Sequence, residues 1–304
     1  MSLPKLIVIL GPTACGKSGL GITLAQRYHG EVVSADSRQV YRGLDLGTGK
    51  VTAEEMAGVP HHLLDVVDPG EQYSVARFQS EAYAAIDGIL ARGNLPFLVG
   101  GTGLYVRSVT EGYVFHEAPP DPALRARLEA LPIEDLRQAL TDAGVELDAD
   151  CYHNRPRLVR LMEKRLNGED PHAELELAPR YDVLTLGVSY PRETVCRRID
   201  DRLVARLNAG MVEEVAGLRS AGVSDEFLEG LGLEYRHILR YLTGVIPDEA
   251  ALIDELGRAI KRFAKRQVSW FKKDRDVHWL NMETDPAAEA SQLIEAFLTS
   301  SSGE

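Results

Sequence analysis

Residues Gly11–Ser18 read GPTACGKS, and they fit the pattern G-x-x-x-x-G-K-[S/T] at every fixed position. The segment lies between an apolar run, Lys5–Leu10, and a stretch of helical periodicity, Lys17–Tyr28. That context makes the match meaningful: a strand delivers the chain to a tight turn, and a helix N-terminus follows. Gly11 and Gly16 let the backbone curl so that its N–H groups converge, and the helix end adds partial positive charge. Pro12, Thr13, Ala14 and Cys15 complete the cradle, Lys17 brings a full charge to phosphate oxygens, and Ser18 is the candidate Mg2+ ligand. A phosphate loop specifies phosphate and leaves three chemistries open: phosphoryl transfer, hydrolysis of a nucleotide as a switch, and displacement of diphosphate from another ligand.

The loop also constrains the fold. Glu31–Ala35 and Leu95–Val99 are further strand candidates, with a helix expected over Ser74–Arg92 whose inward candidates include Ala76, Tyr83, Ile86 and Leu90. Strands and helices alternating at this spacing imply a parallel sheet covered by helices, with ligands beyond the carboxyl ends of the strands. Three prolines between Ala118 and Pro122 mark a change of composition, and from Asp121 to about Pro179 only helical patterning is present. Strand character returns at Tyr181–Ser189, one long helix is expected over Arg197–Ala221, another over Pro247–Lys273, and a last strand over Val277–Asn281. The tail Thr299–Glu304 is expected to be disordered. The fold class is therefore α/β, a P-loop NTPase-like parallel sheet flanked by helices. The core takes 1–119 and 180–304, and an all-helical insertion domain takes 120–179.

One acid and a glycine turn refine the chemistry. The second strand ends at Asp36, followed by Ser37, Arg38 and Gln39. A carboxylate there is placed to hold Mg2+ or to act as a general base. The third strand ends in Gly100-Gly101-Thr102-Gly103 with no acid, where a kinase or switch NTPase usually carries a metal-holding aspartate. Glycine lets a ligand approach the backbone closely, with Thr102 as a polar contact.

Taken in order, the motifs resemble one family. GPTACGKS, Asp36-Ser37-Arg38-Gln39-Val40-Tyr41 and Leu46-Gly47-Thr48-Gly49-Lys50 are similar to the opening of the tRNA dimethylallyltransferases. So are Pro60-His61-His62-Leu63-Leu64-Asp65 with Asp68-Pro69, Tyr73-Ser74-Val75-Ala76 with Phe78, and Leu98–Tyr105. Ala264-Lys265-Arg266-Gln267 with Ser269-Trp270-Phe271 resembles the family's C-terminal signature helix. The form resembled is the bacterial one, since no Cys/His zinc element occurs at the C-terminus. The resemblance implies transfer of a dimethylallyl group from its diphosphate to N6 of the adenine 3′-adjacent to the anticodon. By analogy Gly11–Ser18 and Arg198 hold the diphosphate with Mg2+ near Ser18. Asp36 is the base, with Thr102, Arg202 and Lys17 supporting the reaction. Asp36, Ser37, Arg38, Gln39 and Thr102 meet the flipped adenine and its neighbours. Arg125, Pro156, Arg157 and Arg160 of the insertion, with Lys261, Arg262, Lys265, Arg266 and Gln267, bind tRNA. A P-loop kinase of a small metabolite, a nucleotide-switched RNA binder and a prenyltransferase of free adenine nucleotides are the competing readings.

Composition bears on the partner. The 304 residues carry a net charge of −12, which alone argues against nucleic acid. Local patches oppose that average: Arg258–Arg275 contains eight Lys/Arg against Asp274, and Arg155–Arg165 contains five against Glu163. Positions 258, 261, 262, 265 and 266 share one helical face, suited to RNA phosphates. Leu252, Leu256, Ile260, Phe263, Gln267 and Trp270 are expected to pack inward. The three cysteines, Cys15, Cys151 and Cys196, have no metal-like spacing and read as free thiols. His61 and His62, adjacent on an extended segment, point to opposite sides and shape a loop rather than bind metal. No apolar run nears the ~20 residues of a membrane span, and no leader pattern is visible. A cytoplasmic monomer, binding no membrane, is expected.

Overall fold

The computed structural model describes residues 2–115, 121–173 and 176–300. These form two compact units, one of residues 1–112 with 179–304 and one of residues 113–178.

In the larger unit, β1 (Lys5–Leu10) leads into α1 (Lys17–Arg27) and β2 (Gly30–Ser34). A short helix α2 (Ala53–Met56), a two-residue edge strand β3 (His61–His62), α3 (Val75–Ala91), β4 (Leu95–Gly100) and α4 (Gly103–Arg107) follow. The smaller unit holds α5 (Pro122–Ala130), α6 (Ile133–Asp142), α7 (Ala149–Tyr152) and α8 (Arg155–Leu166). The chain then returns to the larger unit through β5 (Asp182–Ser189) and α9 (Arg192–Asn208). Next come α10 (Met211–Ser220), α11 (Asp225–Leu231), α12 (Leu233–Leu242), α13 (Glu249–Phe271), β6 (Val277–Asn281) and α14 (Pro286–Thr299).

The six strands are all parallel, in the order β3-β2-β4-β1-β5-β6. Burial on both faces explains the unbroken apolar runs: Leu6, Ile7, Val8 and Ile9 are all fully buried. Alternate β1 residues feed two cores, Leu6, Val8 and Leu10 toward Phe78 and Ile86 of α3, and Ile7 and Ile9 toward Leu24 of α1 and Ile294 of α14. A third core joins α9 to α13 and encloses Val40, Tyr41 and Leu44. The inward face of α3 is Phe78, Gln79, Ala82, Ile86 and Ile89, so of the expected set only Ile86 is fully buried.

Several expectations are corrected. The long helix expected over Arg197–Ala221 begins earlier, at Arg192, and is two helices broken at Gly210, whose φ of +100° is a left-handed conformation open to glycine. Phe263 does not pack inward: it is 40% exposed, and Ala264 takes the buried position, because the stripe through Leu252, Leu256 and Ile260 continues to 264. Thr299 ends α14, and residues 301–304 lie outside the described residues. Gly232, at φ 165°, separates α11 from α12, which periodicity had not resolved.

The smaller unit closes over Leu136, Leu140 and Leu158, each fully buried. Arg125 grips the buried Glu163 in a two-pronged ion pair, both contacts 2.7 Å, and Arg160 adds a third at 3.4 Å. Burial works to raise the Glu163 pKa, yet Arg125 and Arg160 hold it below the ordinary carboxylate value. Asn154 caps α8 by accepting from the Arg157 N–H, and Pro156 fits the first turn, where no helical N–H is needed. Arg157 is exposed and meets Asp148 at 3.3 Å.

Candidate active site

The phosphate loop leaves β1 at Gly11, where a Cβ would strike the Val188 carbonyl oxygen of β5 at 2.6 Å. The loop ends at Gly16, φ +80°, which caps α1 with no side-chain hydrogen bond. The first amides of α1 are therefore open to an anion. Lys17 folds back to donate to the Pro12 carbonyl at 2.7 Å, and burial pulls its ammonium down to about 8. Cys15 is fully buried, and burial pushes its thiol pKa up.

Helix α9 supports the loop from one side. Arg198 Nε donates to the Ala14 carbonyl at 2.8 Å, and the Arg202 guanidinium donates to Thr13 Oγ1. Burial draws Arg202 down to about 10. Helix α13 supports the loop from another side through Gln267, whose Oε1 accepts from Thr13 N–H at 2.9 Å while Nε2 donates to the Gly101 carbonyl at 3.0 Å. Gln267 thus clamps the phosphate loop to the glycine turn after β4.

That turn brings Thr102 to Asp36. A Cβ at Gly100 would overlap the Ala35 carbonyl, so only glycine lets the ends of β2 and β4 close on each other. Thr102 N–H then donates to Ala35 O at 3.2 Å, and Thr102 Oγ1 accepts from Ser37 N–H at 3.0 Å. Asp36 Oδ1 accepts from Arg38 N–H at 2.8 Å, which fixes the carboxylate in a turn. Gln39 is spent within the protein: its Nε2 donates to Thr48 O at 3.4 Å and Gly49 O at 3.2 Å.

Two cavities flank the loop. A cleft of about 570 Å³ holds Lys17, Ser18, Asp36, Arg38 and Thr102 under a rim of Leu104, Phe263, Arg266 and Trp270. The apolar part of the rim is open, with Leu104 49% and Phe263 40% exposed. Arg107 lies 4.2 Å from the Trp270 ring centre. A second cavity of about 640 Å³ contains Ala14–Gly19, Lys50 and Arg198. Of the α13 cations, Arg262, Lys265 and Arg266 are exposed, whereas Lys261 is tied to Asp200 at 2.6 Å.

Sequence reasoning passed over four groups here. Arg206 lines both cavities and Glu234 lines the cleft. Burial raises the Glu234 carboxyl, while Arg206 and Arg202 work to lower it. Glu214 and Tyr235 hold the loop between the cavities. Of the four, Arg206 alone could have been found from spacing, as the next step of four after Arg198 and Arg202. Among the described residues no group of three or more His, Cys, Asp or Glu could hold a metal.

Comparison with known proteins matches this arrangement. The model of the IPP transferase family covers residues 39–274, and that of isopentenyl transferase covers residues 4–67. The tRNA dimethylallyltransferase 2 of Shewanella sediminis is 42% identical over 299 residues, 95% of this chain and 97% of the relative. The full-length tRNA isopentenylpyrophosphate transferase of Bacillus halodurans superposes with a TM-score of 0.74 at 36% identity, covering 97% and 96% of the two chains. A eukaryotic dimethylallyltransferase, solved acting on tRNA, superposes with a TM-score of 0.79 at 26% identity, covering 97% of this chain and 80% of that one. The chain belongs to the IPP transferase family, the family of the tRNA dimethylallyltransferases.

Proposed function

We propose that this protein transfers the dimethylallyl group of dimethylallyl diphosphate to N6 of the adenine 3′-adjacent to the anticodon of a tRNA, releasing diphosphate. One observation carries the reading: the cleft that holds Asp36 and Thr102 shares Lys17 and Ser18 with the phosphate loop. A base for an amine and a cradle for a leaving anion therefore face one space.

The exocyclic amine is a poor nucleophile, because its lone pair is delocalised into the ring. Asp36 accepts a proton from N6 as the new C–N bond forms. The allylic C–O bond breaks, and its electron pair leaves with the diphosphate. Lys17, Arg202 and the uncapped amides of α1 face that growing charge. Thr102 keeps the Asp36–Arg38 turn in place through Ser37. The Ser18 hydroxyl, a hard oxygen donor beside the phosphate loop, would suit Mg2+, which would draw its remaining ligands from the diphosphate and water. Bound there, the ion would neutralise charge on the diphosphate.

The acceptor enters across the open rim. Phe263, Leu104 and Trp270 offer surfaces for stacking against the unpaired bases of an anticodon loop, and Arg262, Lys265 and Arg266 offer cations for its phosphates. Extrusion of the target base costs a few kcal/mol and less in a loop than in a duplex. Arg157, Arg160 and Pro156 lie on the α8 end of the smaller unit, and we assign that surface to the stem, whereas Arg125 serves the fold through Glu163. Among the described residues no helix is long and apolar enough to cross a membrane. We take the working form to be a cytoplasmic monomer.

The test is direct. The protein is incubated with Mg2+, dimethylallyl diphosphate and an unmodified anticodon stem-loop, with AMP as a parallel acceptor, and products are read by mass. A single prenyl increment on the stem-loop supports the reading. Its absence, with ATP turnover or with prenyl-AMP instead, refutes it.

A further inference from the structure

Helix α9 carries arginines at 198, 202 and 206, a spacing that sets them along one side of the helix. The first two are tied to the phosphate loop, through Ala14 O and Thr13 Oγ1. Among the described residues, Arg206 has no hydrogen bond or ion pair to any protein acceptor. Its guanidinium lies against the Cα of Gly49, where a Cβ would overlap it. Burial lowers its pKa while Glu234 works to raise it, so the guanidinium is partly desolvated yet meets no acceptor at hydrogen-bond distance.

The place it occupies is specific. Five residues line both cavities: Lys17, Ser18, Gly49, Arg202 and Arg206. Three of the five are cations and none is an acid. Asp36 and Glu234 line the cleft alone, and Asp45, Glu55 and Asp201 line the other cavity alone. The junction is thus rich in cations beside the open amides of α1, with Glu234 and Asp36 acting on them from the cleft side. Its donors match an anion with several oxygens and more than one negative charge.

We propose that Arg206 is a diphosphate-binding residue, donating to the diphosphate at the junction of the two cavities beside Lys17 and Arg202. The proposal rests on the prenyl-transfer reading for the identity of the ligand. In the reaction Arg206 meets the charge that appears on the departing oxygen when the allylic C–O bond breaks, and no proton moves to or from it. Gly49 is the companion of this residue: any side chain there displaces the guanidinium from the junction.

The experiment titrates inorganic diphosphate with Mg2+ into the purified chain by calorimetry, without RNA and without turnover. Arg206→Met weakens binding by about 10- to 100-fold, the loss of one charge-assisted donor group. Arg206→Lys retains the charge and recovers most of that loss, and circular dichroism verifies that each variant is folded. Gly49→Ala weakens diphosphate in the native background and adds no further weakening in the Arg206→Met background. Diphosphate affinity within twofold of native in Arg206→Met overturns the proposal. So does a Gly49→Ala penalty of equal size in both backgrounds. Arg206-dependent diphosphate binding without any RNA product refutes the prenyl-transfer reading and leaves this one standing. Product formation with an unchanged KM for dimethylallyl diphosphate in Arg206→Met does the reverse.

Discussion

Glu214 offers a test of how the loop between the two cavities is held. It sits in the first turn of α10, and its carboxylate carries four hydrogen bonds. Oε2 accepts from the N–H of Asp45 at 2.9 Å and of Leu46 at 2.7 Å. Oε1 accepts from the N–H of Gly47 at 3.1 Å and from the Tyr235 hydroxyl at 2.8 Å. The Tyr235 ring also fills the space that a Cβ at Gly47 would enter, at 2.5 Å. In Glu214→Ala the exposed Asp45 amide rehydrates, but the other three donors are part-buried. At about 1 kcal/mol each, the expected loss of stability is about 3 kcal/mol. Glu214→Gln keeps one acceptor oxygen and is expected to lose about half of that. Urea unfolding measures it: with an m-value of about 3 kcal/mol/M for a chain of this size, the midpoint of Glu214→Ala falls by about 1 M. Because Gly47 and Gly49 line the cleft, kcat/KM falls as well, by about tenfold in Glu214→Gln, a misplacement of the sort that costs catalysis at a distance. A Glu214→Ala midpoint within 0.2 M of native, as an order-of-magnitude bound, refutes the reasoning, for then the loop amides have other partners or were never desolvated.

Three further outcomes are expected. Asp36→Asn removes the proposed proton acceptor and is expected to lower turnover by about 100-fold or more, while diphosphate affinity measured by calorimetry stays within a few-fold; surviving turnover rules Asp36 out as the base. Gln267→Leu breaks the clamp between Thr13 and Gly101, so the KM for dimethylallyl diphosphate rises and kcat falls, while stem-loop affinity read by filter binding stays nearly constant; a loss confined to RNA affinity would make Gln267 an RNA contact instead. Glu31 is 3% exposed, and hydrogen bonds from Arg92 first, then Asn94 and His62, hold its carboxyl at about 2 against an unperturbed 4.5. A folded pKa below the unfolded one stabilises the protein above the unfolded value, and the stabilisation disappears as pH falls through the window from 4.5 toward 2. Allowing for the half-exposed Arg92, its size is about 2 kcal/mol. Glu31→Gln is therefore less stable than native at pH 7, with the gap narrowing below pH 4.5 and closing only as pH nears 2 in thermal melts; a gap that is independent of pH refutes the assignment.

The parts of the fold legible in the sequence are those with a single dominant cause. Five of the six strands read as apolar runs, because a parallel sheet covered on both faces buries every residue of a strand such as Leu6–Ile9. The phosphate loop was legible because its two glycines and its lysine answer one geometric demand. The edge strand His61–His62 was not, since two residues carry no periodicity and pair only through β2. The break at Gly210 was hidden because helical patterning resumes in phase on its far side. Residue roles were the least legible. Arg125, Lys261 and Gln39 carry the residue types of RNA contacts, yet each is engaged by a protein partner far away in sequence or across a loop. Glu234 and Glu214 gave no signal, for an isolated glutamate in a helix is ordinary until the fold sets it beside Arg206 or beneath three amides.

The absence of an acid after β4 fits the use proposed for the cleft. Strand β4 lies between β1 and β2, so its carboxyl end faces both the phosphate loop and Asp36. A side chain at Gly101 would begin 2.9 Å from Gln267 Nε2 and 3.7 Å from Lys17 Nζ. A carboxylate there would stand close to the lysine and compete with phosphate oxygens for its charge. In the proposed reaction the lysine keeps its charge for the departing diphosphate, and the acid assigned to the amine stands one strand further on, at the end of β2. Glycine at 100 and 101 gives up the metal-holding acid and lets the two strand ends close, so that Thr102 can hold the turn that carries Asp36. The same short sequence therefore leaves the phosphate loop without a second acid and fixes the turn that carries Asp36, the base of the proposed reaction.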